Sequence, residues 1–258
     1  MMRIFLVLMA VGTIWAADQK RSYTCNKSSK SLKIDGKIND TAWRDAAWTA
    51  DFVDIEGSTK KKPRFRTRAK MLWDEEYFYI AAEMEEPQLW ATYDRHDMVI
   101  FHEHDFEVFL DPDGDGLHYF EFEMNAKNTS WDLYLAKPYK DGGKADDGWE
   151  IPGLKTAVHL KGTLNRSADK DRGWTLEIAM PWKAFDRGPR PALAPKEGEE
   201  WRVNFSRVEW VLDVVAGKYE KRKGLRNLRS LIINANTTVT KFRAITLVDR
   251  CRCTNYSN

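Results

Sequence analysis

Carboxylate and amide side chains alternate with apolar ones between residues 105 and 125. An alternation of period two is typical of strands that bury one face, so these polar side chains should share the other face of a hairpin. Carboxylates that face one another across two strands repel, so we expect a cation or a set of hydroxyl donors to meet them, unless the face is only solvated. The residues that the pattern brings together are Glu107, Glu121, Glu123 and Asn125.

The turn of this hairpin reads Asp-Pro-Asp-Gly-Asp-Gly. A hard cation takes oxygen ligands at alternating positions, with Gly at the sharp turn, so Asp111, Asp113 and Asp115 are candidate ligands of a structural calcium ion. Phe122 stands where an EF-hand loop has its bidentate Glu, so a plain acidic turn is the alternative.

Four histidines lie around the same hairpin. Imidazoles are common zinc ligands, and the spacing of His102 and His104 suits one face of a strand. No residue that would orient the imidazoles is evident, so the sequence does not favour a zinc site. The four are His96, His102, His104 and His118.

A pair of carboxyl groups also suggests an enzyme. Glu107 with Glu121 or Glu123 on the neighbouring strand would lie about 5 Å apart, which matches a retaining glycosidase. Such a pair needs a cleft that raises one pKa, and a sandwich with its acids on an open face offers little of that. No Ser-His-Asp order, phosphate loop or dinucleotide-binding signature is present. O-glycosyl hydrolase activity is therefore one alternative function, and a structural cell-surface adhesion domain without ligand is another.

The composition is that of a globular protein. The 258 residues are 43% hydrophobic and 12% aromatic, enough for one large or two small cores. The formal net charge is +2, so charge gives no indication of a nucleic acid or an anionic membrane as partner.

Residues 1–17 have the plan of a secretory signal peptide. One basic residue, Arg3, precedes an apolar run from Ile4 to Val11, and this run is too short to span a bilayer. We therefore expect a protein that is secreted, periplasmic or on the cell surface, without membrane insertion. The polar residues 18–31 are predicted to be a flexible leader.

Eight or more short alternating segments with turn signals between them follow the leader. They predict an all-β fold, a β-sandwich of mainly antiparallel strands over residues 32–224. A second hairpin is expected at residues 65–85. One or two short helices should occur, one burying Trp43 and one after Pro181.

The character of the sequence changes after Gly224. Residues 225–258 contain no Trp, Gly or Pro. Residues 237–248 are rich in β-branched side chains and could add one or two edge strands. We predict a divergent C-terminal tail, produced by a divergent gene end or by a frameshift.

Five motifs follow one another in order between residues 32 and 224. They are Ile34-Asp35-Gly36-Lys37-Ile38 with Trp43, Leu72 to Tyr79, Asp105 to Asp111, Trp174 to Trp182, and Trp201 to Phe205. Together they resemble a family 9 carbohydrate-binding module. The resemblance implies a β-sandwich, often with bound calcium, that holds a sugar between aromatic rings. It also implies a place beside glycoside hydrolases, or alone in secreted bacterial proteins.

The resemblance implies roles for individual residues. The family has an aromatic wall six positions before the motif Glu, which is Phe101 here, and Glu107 would accept hydrogen bonds from sugar hydroxyls. On the next strand the family has an Arg that points at the sugar, whereas this chain has Glu123. The second aromatic wall comes from a Trp-containing loop near the C-terminus, and nothing after Trp210 matches it.

Aromatic walls suit sugars because the C–H face of a pyranose is apolar and the face of an aromatic ring is negative. Trp90 is one candidate wall, and Trp131 and Trp149, which flank a loop rich in Gly and Asp, are two more. We therefore predict a secreted, non-catalytic protein that binds sugars or polysaccharide ends, with calcium as the expected cofactor and glycoside hydrolases as expected partners. The predicted sugar-binding residues are Phe101, Glu107, Glu123, Asn125, Trp131 and Trp149.

Overall fold

The computed structural model describes residues 22–55, 61–188 and 190–222, and the backbone of residues 233–234 and 238–243. The described part is built of strands with four 3-10 turns and no α-helix. The strands are β1 (Ser22–Lys27), β2 (Val53–Asp54), β3 (Thr67–Trp73), β4 (Tyr77–Met84), β5 (Asp105–Asp111), β6 (Tyr119–Asn125), β7 (Ser130–Leu135), β8 (Ala145–Asp146), β9 (Lys155–Leu160), β10 (Trp174–Pro181), β11 (Glu200–Ser206), β12 (Leu212–Val215), β13 (Lys218–Lys221), β14 (Ile233–Asn234) and β15 (Thr238–Arg243).

Eleven of the described strands form one sheet, in the order β8-β7-β6-β5-β11-β15-β1-β3-β4-β10-β9. β1 pairs in parallel with β15 and with β3, and the other pairs in this sheet are antiparallel. One core cluster joins side chains of β3, β4 and β10 with side chains of β5, β6 and β11, so the two halves of the sheet face each other. The predicted all-β sandwich is confirmed.

The core follows from the alternation in the sequence. Phe106, Val108 and Leu110 of β5 and Phe120 and Phe122 of β6 are each at most 2% exposed. Fully burying a side chain of this kind contributes about 1.5–3 kcal/mol. The residues between them project to the opposite face, which carries the carboxyl groups.

The hairpin predicted at residues 65–85 is confirmed as β3 and β4. The predicted short helices are single 3-10 turns, Thr41–Asp45 and Trp182–Ala184. Segments of five and three residues are too short for an α-helix, because they form too few hydrogen bonds to offset the free-energy cost of nucleation. Trp43 is buried as expected, and its indole N–H donates to Glu177 at 2.7 Å.

The prediction of a flexible leader over residues 18–31 is wrong for its middle part. Residues 22–27 form β1, in which Tyr23 and Cys25 are buried while Ser22 and Thr24 are exposed. The Tyr23 hydroxyl donates to the carbonyl oxygen of Ala47 at 2.6 Å. Because the outward-facing residues of β1 are polar, the sequence of this segment resembles a flexible polar leader and its alternation was not recognised.

The predicted tail contributes a central strand to the sheet rather than an edge strand. β15 pairs with β1 on one side and with β11 on the other. Apart from β14 and β15, residues 225–258 lie outside the described part of the chain, as does the predicted signal peptide. No described helix has the length and apolar character needed to cross a membrane.

Candidate functional site

The predicted acidic face exists as a row of side chains across four strands. Glu107 of β5 lies opposite Ser206 of β11 and opposite Glu123 of β6. Glu123 in turn lies opposite Trp131 of β7. Residues that are directly opposite on neighbouring strands project to the same face, so these four side chains form one row. Glu121 lies two positions from Glu123 and extends the acidic surface.

Burial raises the pKa of each carboxyl group on this face. Burial and repulsion from Glu121 raise the pKa of Glu107 to about 8. Burial raises the pKa of Glu121 to about 7, although a hydrogen bond from Tyr139 acts in the opposite direction. Burial and the neighbouring carboxyl groups hold the pKa values of Asp105 and Glu123 well above their ordinary range. These groups therefore retain protons near neutral pH.

The charged groups that act on this face, within the described residues, are its own carboxyl groups. Asp105, Glu107 and Glu123 offer oxygens that lie within 4.8 Å of one another. One oxygen of Asp105 accepts the backbone N–H of Val208 at 3.0 Å, while its Oδ2 is buried without a hydrogen-bond partner. An unbonded buried oxygen is costly, so this face attracts hydrogen-bond donors.

Phe101 provides an exposed aromatic ring beside the row. It lies in the 3-10 turn Ile100–His102, and its side chain is 40% exposed. Its backbone N–H donates to Glu123 at 3.0 Å, which fixes the turn beside the carboxyl groups. Its ring centroid lies 6.2 Å from that of Trp131. A sugar between two rings needs about 7–8 Å, twice a van der Waals contact, so the two rings form one surface rather than two walls.

Two aromatic residues that were not predicted from the sequence also border the row. Tyr139 is 51% exposed and donates its hydroxyl to Glu121 at 2.9 Å. The indole of Trp210 donates to the carbonyl oxygen of Phe101 at 3.1 Å, and the ammonium of Lys221 lies 4.3 Å from the centre of the Trp210 ring. Tyr139 begins the 3-10 turn Tyr139–Asp141 and Trp210 lies in the loop after β11, so neither belongs to a strand and no periodic pattern marks them.

Three candidates lie away from the exposed surface. Trp149 is 3% exposed and packs in the core at 4.8 Å from Phe120, so the prediction that it forms a wall is wrong. Asn125 is fully buried, and its side-chain oxygen accepts the backbone N–H of Thr129 at 3.1 Å, so its amide stabilises the turn after β6 rather than facing a ligand. Trp90 is 9% exposed and packs in a small hydrophobic cluster that is separate from the main core.

The predicted calcium turn brings its oxygens together. Asp111, Asp113 and Asp115 offer oxygens within 4.8 Å of one another. The two oxygens of Asp111 accept the backbone N–H groups of Gly114 at 2.8 Å and Gly116 at 2.9 Å. Each oxygen has a second lone pair, so this oxygen set fits a calcium ion. The same contacts fit a plain acidic turn.

The family model "Carbohydrate family 9 binding domain-like" matches residues 34–204, which contain strands β3 to β10 and the carboxyl groups of Asp105, Glu107, Glu121 and Glu123. The chain belongs to this family. The predicted resemblance is confirmed, and the matched region ends before Ser206 and Trp210.

Two solved structures of family 9 modules from Caldicellulosiruptor kristjanssonii share the fold of this module. The one in complex with cellotriose is 15% identical with a TM-score of 0.53, and the match covers 88% of this chain and 95% of that chain. The one in complex with glucose is 16% identical with a TM-score of 0.50, and the match covers 86% of this chain and 97% of that chain. A protein from Bacteroides uniformis is 14% identical with a TM-score of 0.58, and the match covers 87% of this chain and 100% of that chain.

Exoglucanase XynX of Acetivibrio thermocellus is 27% identical over 155 residues, which are 59% of this chain and 12% of that enzyme. The chain therefore spans only a small part of the enzyme that it matches.

Proposed function

We propose that the protein is a secreted, non-catalytic module that binds sugars or polysaccharide ends. The observation that carries the proposal is the exposed ring of Phe101, which adjoins Trp131 and is tied to the carboxyl row through Glu123. Such a surface can stack on the apolar face of a pyranose while polar groups meet its hydroxyls. Family membership, and the cellotriose and glucose bound by structural relatives, support a carbohydrate ligand.

The carboxyl groups suit sugar hydroxyls because they are partly protonated. A protonated carboxyl group donates one hydrogen bond and accepts others, as a hydroxyl does. Glu107 is 5% exposed and Glu123 is 1% exposed, so a sugar reaches them only after neighbouring side chains move. With a single stacking surface, we expect dissociation constants of about 10 μM to 1 mM.

Calorimetric titration with glucose and cellotriose tests the proposal. Replacing Phe101 by Ala should weaken binding about tenfold, because it removes a stacking contact worth roughly 1 kcal/mol together with the area that the ring buries. Leu193→Ala is the control, since Leu193 is an apolar side chain that is 68% exposed and outside the site. Equal affinities in the Phe101→Ala variant and the parent protein would contradict the proposal.

A glycoside hydrolase acting on O-glycosyl bonds is the second candidate. Glu107 and Glu123 lie opposite each other with raised pKa values, and a general acid needs such a raised pKa. New reducing ends released from a polysaccharide, and lost in Glu107→Gln, would establish the enzyme. If the protein neither releases reducing ends nor binds any sugar, the structural adhesion domain is the function that remains.

We further propose that the protein acts outside the cytoplasm, with glycoside hydrolases that degrade the same polysaccharide as partners. The signal-like residues 1–17 and the likeness to part of an exoglucanase support this. Sequencing the N-terminus of the protein recovered from the culture medium should show that the first 17 or so residues have been removed.

A further inference from the structure

A second cluster of ligating side chains lies next to the aromatic surface. Its members come from three segments of the chain: the loop before β5, strand β7 and the loop after β8. The Nε2 atom of His96 lies 3.1 Å from a carboxylate oxygen of Glu150, 3.3 Å from one of Asp97 and 3.3 Å from one of Asp132. Three carboxylates thus surround one imidazole nitrogen.

The other nitrogen of the His96 ring is already held. Nδ1 lies 3.0 Å from the carbonyl oxygen of Ser130, which can only accept a hydrogen bond, so Nδ1 carries the hydrogen. Nε2 lies 3.1 Å from the carboxylate of Glu150, which also only accepts, so without a metal Nε2 carries a hydrogen too and donates it to Glu150. A metal ion would replace that hydrogen, at the point where the carboxylates converge on Nε2. Histidines that bind metals commonly donate their second N–H to a carbonyl or carboxylate in this way, which fixes the tautomer and the ring orientation.

Asp132 contributes a buried oxygen without a hydrogen bond. Its side chain is 1% exposed, and its Oδ2 accepts the backbone N–H of Ile151 at 2.7 Å. Its Oδ1 has no hydrogen-bond partner and lies 3.3 Å from Nε2 of His96. A buried carboxylate oxygen in this state is costly unless a cation meets it.

The formal charges of the cluster do not balance. Three carboxylates carry three negative charges, whereas a protonated His96 would supply one positive charge. Within the described residues, His96 is the group that pairs with Asp97, Asp132 and Glu150. A divalent cation coordinated by a neutral imidazole would bring the cluster closer to neutrality.

We propose that His96, Asp97, Asp132 and Glu150 bind one zinc ion. Zinc bonds nitrogen and oxygen at about 2.0–2.2 Å, so its tetrahedral ligands lie roughly 3.3 Å apart. The three separations around Nε2 are 3.1, 3.3 and 3.3 Å. An imidazole ligand favours zinc over calcium, which takes six to eight oxygens.

The zinc ion would join the two segments that carry the aromatic surface. His96 and Asp97 precede Phe101 in the same loop, while Asp132 follows Trp131 in β7. The ligand atoms of His96, Asp97 and Asp132 lie within 4.8 Å of one another, and the exposed Glu150 can close onto the ion. Zinc therefore holds the loop of Phe101 against β7.

Calorimetric titration of Zn²⁺ into the metal-free full-length protein tests the site. The titration uses a Cys251→Ser, Cys253→Ser background, so that thiols outside the described residues do not contribute. We expect one Zn²⁺ per chain, and at least about tenfold weaker binding in His96→Gln and Asp132→Asn, since each removes a ligand. His159→Gln, which changes a histidine of β9, should bind Zn²⁺ as the background protein does.

Glu150→Gln keeps the test decisive if the buried Asp132→Asn change prevents folding, because Glu150 lies at the surface. X-ray absorption at the zinc edge should show one imidazole nitrogen and oxygen ligands at about 2.0–2.2 Å. Unchanged Zn²⁺ affinity in both His96→Gln and Glu150→Gln would overturn the proposal. Tighter binding of Ca²⁺ than of Zn²⁺ that is lost in the same two variants would overturn it as well.

Discussion

Replacing Glu107 by Gln should stabilise the protein at alkaline pH. In the folded protein the pKa of this carboxyl group is about 8, against an ordinary value of 4.5. The folded state therefore holds the proton more tightly than the unfolded chain does. Stability from this group is fully present below about pH 4.5 and is lost as the pH rises through about 8. Gln cannot ionise and has nearly the same shape, so the variant should lack this loss.

The size of the effect follows from the two pKa values. They differ by between three and four pKa units, and each unit corresponds to about 1.4 kcal/mol, so ionising Glu107 in the folded protein costs roughly 4–5 kcal/mol. Domains of this size unfold at a cost of about 5–15 kcal/mol, so the effect is a large share of the total. At about 2–4 °C for each kcal/mol, the variant should melt roughly 8–20 °C above the parent protein near pH 9.

Thermal melts and urea titrations at about pH 5, 7 and 9 measure this difference. The parent protein should become less stable across the series, while Glu107→Gln should change less and match the parent near pH 5. Glu220→Gln is the control, because Glu220 is exposed and lies in β13, outside the carboxyl row. A parent protein that is more stable at pH 9 than at pH 5, or a Glu107→Gln variant with the same pH dependence as the parent, would refute the reasoning.

Three further perturbations have defined outcomes. If the turn that contains Asp113 binds calcium, EGTA should lower the melting temperature by several degrees, and Asp113→Asn should abolish this response; an unchanged melt would leave a plain acidic turn. Glu177→Gln should lower the free energy of unfolding, measured in urea, by about 1–3 kcal/mol. The Glu177 carboxylate accepts the Trp43 indole N–H at 2.7 Å and two backbone N–H groups. Gln offers a single acceptor oxygen, so it cannot satisfy all three donors. Removing residues 225–258 should cause association, because β15 pairs with both β1 and β11 and its loss opens two edges; a monomer on size-exclusion chromatography would count against that role.

The hairpin at residues 105–125 was predictable because its signal is local. Side chains in a strand change faces at every residue, so the positions of Phe106 and Val108 determine where Glu107 projects. The same rule gave the pairing of β3 with β4. The five ordered motifs added the family, which the match over residues 34–204 confirms.

Other features depend on segments that are distant in the sequence. Trp149 and Trp131 both flank a polar loop, yet the Trp149 ring packs against Phe120 and Phe185 in the core while the Trp131 ring lies beside Phe101. Periodicity assigns a residue to a face of its own strand, but it does not show which other layer covers that face. For the same reason the four histidines around the hairpin did not reveal from sequence which of them lies among possible metal ligands.

The cluster around His96 illustrates this limit. His96 is 34 residues from the carbonyl group of Ser130 and 54 residues from Glu150, and the contacts between them exist only after the loop before β5 packs against β7. Sequence spacing rules for zinc sites describe ligands that are close along the chain. A site assembled from three segments therefore gives no spacing signal.

The carboxyl row is a place where this sandwich departs from what stability alone would select. The opposite face of β5 and β6 is apolar and buried, as a stable sheet requires. The face with Asp105, Glu107, Glu121 and Glu123 is also buried, but its groups repel one another and ionise at a cost. Neutral or apolar residues of similar size would remove that cost. Sequences break local rules chiefly at functional sites, and on this ground we propose that the buried acids beside the exposed Phe101 are kept for binding the sugar.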